Sequence, residues 1–249
     1  MLADRSDDGP EGRLQAIEAR LAQLEAKVAR LRATEPGPRF AAIYPGFQDR
    51  FRGSEADITA KLSAYLPDVD RLVSTGGVVD VGPGRGEWLA LLAERGVSAH
   101  GVDTHRGLAE ACRGKGLEVV LADAATHLSA LAPGSVDMVT AFHVIEHLGV
   151  EELIELIDSA RRALRPGGCL LFETPNPTNL IVGACDFYND PTHRSPLPPD
   201  LTAYLISAHG FRDIEVRHLH PKKVVEDDDQ VGVHLYGPQD YAVLGLRED

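Results

Sequence analysis

The sequence predicts an α/β protein in which a largely parallel sheet carries helices on both faces. Three observations predict this class. Short apolar runs alternate with amphipathic segments, a glycine-rich turn joins the first run to a helix, and 249 residues suffice for one full domain with additional N-terminal sequence. Alternation of strand and helix favours parallel strand pairs, because each crossover returns the chain to the same end of the sheet.

Seven segments are predicted as strands from their apolar character and spacing: 77–81, 98–102, 117–122, 135–141, 168–173, 211–219 and 240–246. Four helices are predicted between them from apolar residues that recur with the helical period: 86–95, 107–114, 150–165 and 200–209. Pro166 and the two glycines after it are expected to end the third of these helices. Gly210 is expected to end the fourth as its C-cap.

The first 36 residues are predicted to form a separate oligomerisation helix. Apolar residues occupy the a and d positions of three heptads there: Leu14, Ile17, Leu21, Leu24, Val28 and Leu31. This seam favours a helix pair that joins two copies of the chain into a dimer, and an amphipathic helix lying on its own domain is the alternative. Residues 37–75 are expected to cover the ligand site, with a helix near 54–66, and residues 76–249 to form the α/β domain.

The charge and cysteine content bound the choice of partners. A net charge of −13 leaves no broad basic surface for a phosphate backbone, which argues against nucleic acid and anionic membranes and favours a neutral or cationic substrate. The three cysteines are widely spaced, as expected in a reducing compartment. The polar N-terminus does not resemble a signal peptide and no stretch approaches a membrane span, so the chain is predicted to be cytoplasmic.

The strongest functional signal is VVDVGPGRGEW at 78–88, where a buried strand ends in an aspartate and runs through three glycines into a helix. Gly82, Gly84 and Gly86 allow a sharp turn and let a ligand approach without meeting a Cβ atom. Asp103 lies at the end of the next strand, where a carboxylate can accept hydrogen bonds from both hydroxyls of a ribose. Dinucleotide enzymes and methyltransferases share this geometry.

Four segments together resemble the class I S-adenosylmethionine-dependent methyltransferases: the Asp80 motif, LADA at 121–124, SVDMVTAFHVIEHL at 135–148 and ALRPGGCLLFETPNP at 163–177. The resemblance implies a Rossmann-like fold with a mostly parallel seven-stranded sheet, and S-adenosylmethionine as cofactor. It implies that the three glycines approach the methionine part of the cofactor and that Asp80 orients the loop and the ammonium. By the same resemblance Asp103 binds the ribose, and Asp123 with Ala124 borders the adenine. A nucleotide-binding fold with another ligand is the alternative.

An aliphatic hydroxyl is a poor nucleophile at neutral pH, so its methylation requires a base or a metal. His143, Glu146 and His147 follow the fourth strand, and a helix beginning there would place them on one face. In one hypothesis His143, as a neutral imidazole, is the general base. The other rests on a resemblance to small-RNA 2′-O-methyltransferases, whose E-x-x-E-H motif and a later histidine bind a divalent metal. In this chain Glu146, His147 and His193, with or without His143, would hold Mg, Mn, Co or Zn.

His143 replaces the first glutamate of that motif, which weakens the metal hypothesis. A scaffold or helix-cap role for Glu146 and His147 is the alternative to both. The remaining histidines are predicted to be structural or surface residues: His100, His105, His127, His209, His218, His220 and His234.

Two further stretches resemble bacterial polysaccharide and deoxysugar methyltransferases: FQDRFRG at 47–53, and ETPNPTN at 173–179 with FYNDPTHRSPLPP at 187–199. The resemblance is greatest to enzymes of mycobacterial methylmannose polysaccharides. In the first stretch, Arg50 or Arg52 would reach the cofactor carboxylate. The second stretch supplies four polar candidates for binding the acceptor: Glu173, Asn176, Tyr188 and Arg194.

The sequence therefore predicts O-methylation of a sugar or oligosaccharide. Methylation of another small-molecule hydroxyl, carboxylate or amine is a second hypothesis. The third is a non-catalytic coiled-coil partner that retains the fold.

Overall fold

A computed structural model describes residues 51–223 and 229–249, together with positions 18, 20, 23, 43, 46 and 50. Its helices are α1 (Glu55–Leu62), α2 (Leu66–Leu72), α3 (Glu87–Glu94), α4 (Arg106–Gly114), α5 (Ala124–Ala130), α6 (Val150–Ala163), α7 (Leu180–Ala184), α8 (Pro199–Ala208) and α9 (Gln230–Tyr236). Its strands are β1 (Val78–Val81), β2 (Ala99–Asp103), β3 (Val119–Leu121), β4 (Val136–Phe142), β5 (Leu164–Pro175), β6 (Phe211–Pro221) and β7 (Pro238–Arg247). Short 3-10 helices span Ser63–Tyr65, Ile145–His147 and Asp186–Asn189.

The seven strands form one sheet in the order β3-β2-β1-β4-β5-β7-β6. The first five strands pair in parallel, and β7 pairs antiparallel with both β5 and β6. This order confirms the predicted mostly parallel seven-stranded sheet. The order reverses between β1 and β4, and the crevice at the carboxyl ends of such strands is where α/β sheets bind ligands.

Two apolar layers cover the two faces of the sheet, because successive side chains of a buried strand point to opposite sides. On one face Val79 and Val139 pack in the layer that includes residues of α6 and α8. On the other face Val78 and Met138 pack in the layer that includes residues of α1, α2 and α3. Trp88 lies in this second layer with 2% of its surface exposed. Helices on both faces are thereby confirmed.

Three short helices were not predicted: α5, α7 and α9. Each begins at a polar N-cap whose side chain accepts a backbone N–H of the first turn: Asp123, Asn179 and Asp229. With only five to seven residues, they are too short to show a helical period in the sequence. Local capping, rather than an apolar stripe, marks their positions.

Strand β5 begins at Leu164, four residues earlier than predicted, and α6 ends at Ala163. The sequence correctly placed the end of this helix before Pro166. The register shifts between Val136 and Met138, so a bulge accommodates the extra residues opposite β4. Asp137 stabilises the bulge because its Oδ1 accepts a 2.5 Å hydrogen bond from Arg165 Nε and its Oδ2 accepts one from the Gly76 amide at 2.7 Å.

The chain divides into two units, residues 1–52 and 53–249. Most of the predicted oligomerisation helix lies outside the described residues, although positions 18, 20 and 23 are helical and exposed. The dimer therefore stays a prediction. In the larger unit α1, the 3-10 turn after it and α2 confirm the helix predicted near 54–66. Among the described helices, none combines the length and apolar character that a bilayer crossing requires.

Candidate active site

The glycine-rich loop after β1 adopts left-handed backbone conformations. Gly82, Gly84 and Gly86 have φ angles of 64°, 58° and 88°. A Cβ atom at Gly82 would lie 2.6 Å from Val144 Cγ2, and one at Gly86 would lie 2.5 Å from Leu117 Cδ1. The backbone conformation therefore favours glycine at both positions, and at Gly82 the contact with the β-branched Val144 also limits the space for a side chain. Gly86 is the N-cap of α3, so the loop presents the first amides of that helix to the crevice.

Three carboxylates lie at the carboxyl ends of adjacent strands β1, β2 and β3. Asp80 is buried and accepts a 2.7 Å hydrogen bond from Thr140 Oγ1 on the neighbouring strand. Asp103 accepts a 2.7 Å hydrogen bond from the His105 amide, and burial raises the pKa of its carboxyl. Asp123 caps α5 by accepting from the Thr126 amide at 2.8 Å.

The parallel register brings this acidic row to one edge of the sheet, beside the glycine loop. Ala124 begins α5 directly after Asp123. Arg52 belongs to the smaller unit, and its contact with a cofactor stays a prediction.

His143 lies just beyond β4 with its side chain 33% exposed. Its backbone is left-handed, with φ 56°, which is uncommon for a residue other than glycine. This conformation directs the imidazole between three carboxylates. Nδ1 is 3.4 Å from Glu146 Oε1, and Nε2 is 3.4 Å from Glu173 Oε1 and 3.8 Å from Asp240 Oδ1.

These carboxylates control the charge of the imidazole. Burial alone would lower the pKa of His143, but the contacts with Glu146 and Glu173 and the charge of Asp240 raise it to about 10. Burial likewise opposes ionisation of Glu146, yet chiefly the contact with His143 lowers the pKa of that carboxyl to about 2. These contacts favour the protonated imidazole in the ligand-free protein, whereas a general base needs the neutral form, so the role of His143 as a base stays a prediction.

Glu146, His147 and His193 form a second cluster whose ligand atoms all lie within 4.8 Å of one another. The predicted helix here is a single 3-10 turn, Ile145–His147. His193 Nδ1 lies 2.6 Å from the Phe187 carbonyl oxygen, which can only accept a hydrogen bond, so Nδ1 carries the proton. Burial lowers the pKa of His193, which favours its neutral form. Nε2, which carries the lone pair in this form, lies 3.9 Å from Glu146 Oε1.

His147 has the same tautomer for a similar reason. Thr192 Oγ1 donates to Asp190 Oδ1 at 2.5 Å, so it accepts from His147 Nδ1 at 2.9 Å. In neutral His147 the lone pair is therefore on Nε2. Glu146 Oε2 accepts from Thr174 Oγ1 at 2.8 Å, whereas Glu146 Oε1 is buried without a hydrogen-bond partner. One nitrogen from each imidazole and one oxygen of Glu146 thus belong to one cluster.

Further polar residues around Glu173 and Asp240 were not predicted as site residues. Tyr65, at the end of the 3-10 turn after α1, donates its hydroxyl proton to Glu173 Oε2. Lys61 Nζ lies 3.6 Å from Asp240 Oδ2, and His220 Nε2 lies 3.6 Å from Glu173 Oε1. His220 was predicted to be structural or on the surface. The usable signal was topological, because an antiparallel last pair of strands brings residues near 220 and 240 to the carboxyl end of β5.

The predicted acceptor-binding residues differ in their exposure and in their partners within the protein. Glu173 is 2% exposed and faces His143, and Asn176 is 2% exposed with its amide donating to the Pro238 carbonyl at 3.1 Å. Arg194 Nη1 forms a 2.6 Å ion pair with Glu152. Tyr188 is 63% exposed. The first three side chains thus have partners within the protein, and only Tyr188 is widely open to solvent.

The glycine loop, the acidic row and the strand order define a class I S-adenosylmethionine-dependent methyltransferase fold. A family model described as a methyltransferase domain matches residues 48–219. The chain therefore belongs to the S-adenosylmethionine-dependent methyltransferases, which implies S-adenosylmethionine as the cofactor.

Solved structures agree with this assignment. A methyltransferase dependent on the same cofactor from Archaeoglobus fulgidus is 31% identical, with a TM-score of 0.74 over 82% of this chain and 99% of that one. A protein from Thermotoga maritima described as a possible histamine N-methyltransferase is 17% identical, with a TM-score of 0.61 over 84% and 98%. Phosphoethanolamine N-methyltransferase 2 from Haemonchus contortus is 16% identical, with a TM-score of 0.56 over 82% and 60%. No curated protein matches the chain significantly.

Proposed function

We propose that the protein is an O-methyltransferase that transfers a methyl group to a hydroxyl of a sugar or oligosaccharide. In this proposal His143 is the general base, and Glu146, His147 and His193 hold a divalent cation beside the acceptor. The observations that carry it are the cluster of Glu146, His147 and His193, whose ligand atoms all lie within 4.8 Å of one another, and the contacts that Nδ1 of each imidazole makes with Thr192 or Phe187.

The residues of the crevice fit the cofactor. The left-handed glycines leave the loop without side chains where the methionine part would approach, and the carboxylates of Asp80, Asp103 and Asp123 suit an ammonium, a ribose and an adenine amino group. When bound, S-adenosylmethionine supplies a methyl group on a sulfonium, and its transfer to a hydroxyl oxygen leaves one proton for the protein to accept.

The second cluster fits a cation better than it fits an empty polar site. Nε2 of neutral His193 carries a lone pair beside Glu146 Oε1 and cannot form a hydrogen bond with it, because both atoms are acceptors. Each side chain is also held by an outer partner: Thr192 on His147, Phe187 on His193 and Thr174 on Glu146. Outer hydrogen bonds of this kind fix the tautomer and orientation of metal ligands. Mixed nitrogen and oxygen ligands suit Mn, Co or Zn at least as well as Mg. Such a cation supplies positive charge that favours loss of a proton from a nearby hydroxyl.

His143 is placed to take that proton through Nδ1. Glu173 and Asp240 lie on the Nε2 side and favour a proton on that nitrogen, as the aspartate of a Ser-His-Asp triad does for its histidine. Nδ1 faces Glu146 and therefore the cation cluster. Because the pKa is about 10 without ligands, the neutral form that can act as a base becomes more abundant as the pH rises.

A sugar acceptor is supported by the charge and by the polar segment after β5. The net charge of −13 and the carboxylates around His143 disfavour phosphorylated acceptors and allow neutral ones. Residues 173–199 combine amides, a phenol and carboxylates, which suit hydroxyl groups. Exposed Tyr188 lies in this segment.

A second candidate is methylation of an amine. The same carboxylates would stabilise an ammonium group, and two structurally similar proteins are named as N-methyltransferases, one of them as a possible one. Because those two are less than 20% identical, they support the fold and leave the acceptor open. An amine methyltransferase would need no cation at Glu146.

The test supplies methyl-labelled cofactor and a panel of mannose, methyl mannosides, manno-oligosaccharides and small amines. Reactions are run after chelation and after adding back Mg, Mn, Co or Zn. We expect methylation of a saccharide, restored by one of these metals and lost in Glu146→Gln. His218→Asn, on the exposed part of β6, is the matched control. Turnover of an amine and of no saccharide would contradict the proposed acceptor. Full saccharide turnover after exhaustive chelation would contradict the proposed metal.

A further inference from the structure

His220, at the end of β6, lies on the buried side of the histidine that we assign as base. We propose that His220 is a positioning residue that acts on His143 through Glu173. The proposal rests on the proposed function for the importance of His143, and it adds a residue that neither the motifs nor the family match identifies.

The backbone supplies the first observation. In residues 51–223 and 229–249, only three residues other than glycine have a positive φ angle: His143 at 56°, Asp213 at 52° and His220 at 57°. Such conformations are unfavourable for L-residues, and they persist where the surroundings enforce them, often at functional sites. Asp213 is exposed on β6. The other two both direct an imidazole toward the same carboxylate.

The side-chain geometry supplies the second observation. Nε2 of His143 lies 3.4 Å from Glu173 Oε1, and Nε2 of His220 lies 3.6 Å from the same oxygen. The other carboxylate oxygen accepts the hydroxyl proton of Tyr65. His220 Nε2 is itself buried without a hydrogen-bond partner, so this oxygen is the anion that it faces. Glu173 is thus contacted from three sides while only 2% of its surface is exposed.

These contacts keep Glu173 ionised and oriented. Burial alone would raise the pKa of its carboxyl, but the contacts with His143, His220 and Tyr65 lower it well below the usual range. An ionised Oε1 held in place favours the proton on Nε2 of His143 and leaves Nδ1 toward the acceptor side. Asp240 Oδ1, 3.8 Å from the same Nε2, is the other carboxylate there, and Lys61 lies on its far oxygen.

Loss of the His220 imidazole would leave Glu173 Oε1 with His143 as its one remaining nitrogen contact. The Glu173 carboxylate could then rotate while keeping its hydrogen bond from Tyr65, and the Nε2 proton of His143 would lose a fixed acceptor. A purely structural role for His220 predicts a different result, namely a loss of stability with no specific change at His143.

The backbone conformation makes a clean variant available. Glycine tolerates a left-handed φ angle, so His220→Gly removes the imidazole without adding strain. His220→Asn retains a side-chain donor, and asparagine also tolerates this conformation. Asp213→Gly is the matched control, because it makes the same backbone change on the same strand away from the site.

The first measurement needs no acceptor. Solvent exchange of the ring N–H proton of His143 is followed by NMR on the full chain labelled with ¹⁵N-histidine. We expect about tenfold faster exchange in His220→Gly, recovery in His220→Asn and no change in Asp213→Gly, as for loss of a charge-assisted hydrogen-bond acceptor. Unchanged exchange in His220→Gly, or an equal change in Asp213→Gly, would overturn the proposal even if the enzyme methylates sugars.

The second measurement uses whichever acceptor the panel identifies. A positioning residue predicts a lower kcat in His220→Gly with unchanged KM for the acceptor and unchanged affinity for S-adenosylhomocysteine. A raised KM with unchanged kcat would instead make His220 part of the acceptor-binding surface and reject the positioning role.

Discussion

Substitution of Gly82 by alanine tests the cofactor loop quantitatively. The alanine must adopt the φ angle of 64° that Gly82 has, and its Cβ atom would lie 2.6 Å from Val144 Cγ2. The left-handed conformation costs ~1–2 kcal/mol for a residue with a Cβ atom. Forcing a methyl group into a packed site costs a further ~1–3 kcal/mol. We therefore expect Gly82→Ala to lower the free energy of unfolding by about 2–5 kcal/mol.

The chain offers a matched control for the two contributions. Gly96 has a φ angle of 70°, and a Cβ atom there would meet nothing within 4 Å. Gly96→Ala should therefore cost only the ~1–2 kcal/mol of the backbone conformation. In a Val144→Ala background the contact with Cγ2 is absent. Gly82→Ala should then lower the free energy of unfolding by about as much as Gly96→Ala does.

Equilibrium unfolding in urea measures these free energies, and calorimetry measures the affinity for S-adenosylhomocysteine. We expect the affinity to fall in Gly82→Ala, because the loop backbone must move away from Val144, and to be unchanged in Gly96→Ala. Equal destabilisation by Gly82→Ala and Gly96→Ala with Val144 present would refute the steric reasoning. A coupling of zero between positions 82 and 144 would refute it independently.

Three other properties can be predicted from the site and the core. Asp103→Asn should weaken the binding of S-adenosylhomocysteine about tenfold, measured by calorimetry, because a charged acceptor for the ribose is lost. Tyr241→Phe removes a buried hydroxyl bonded to Thr202 Oγ1 and the Leu197 carbonyl, both at 2.8 Å, and should lower the free energy of unfolding by ~1–3 kcal/mol in urea. The raised pKa of His143 predicts a kcat/KM that rises with pH above neutrality and, in the metal-free protein, a contribution to stability that is complete below 6.5 and lost as the pH rises through about 10. Rate profiles and thermal unfolding of the wild type and His143→Gln measure both, and a profile flat from neutral pH upward would contradict the base assignment.

The sheet and the cofactor loop were predictable because their signals are local. A buried strand, a glycine turn and a following helix are adjacent in the chain, so the row formed by Asp80, Asp103 and Asp123 followed from strand ends alone. Because these strands are parallel, the three aspartates lie at the same edge of the sheet. The short helices α5, α7 and α9 depend on single capping residues, which a periodicity argument does not detect.

The environment of His143 was less predictable because it depends on distant segments. Glu173 was placed among acceptor-binding residues, whereas its side chain faces the imidazole. Tyr65 and Asp240 are more than sixty residues from Glu173 in the chain and reach it only through packing and the antiparallel register. Glu146, in the same motif as His143, already raises the pKa of the imidazole, and Glu173 and Asp240 add to this effect from distant segments. The local motif therefore contains only part of the environment that sets the charge of His143.

Strand β7 lies between β5 and β6 although it follows both in the chain. Strand β6 therefore has β7 as its one sheet partner and is connected to the rest of the sheet only through it. The nucleotide half of the crevice, from β1 to β4, can assemble earlier from neighbouring segments. The carboxylates of Glu173 and Asp240 reach His143 from paired positions near the end of β5 and the start of β7, so the surroundings of this imidazole are complete only when these two strands are paired.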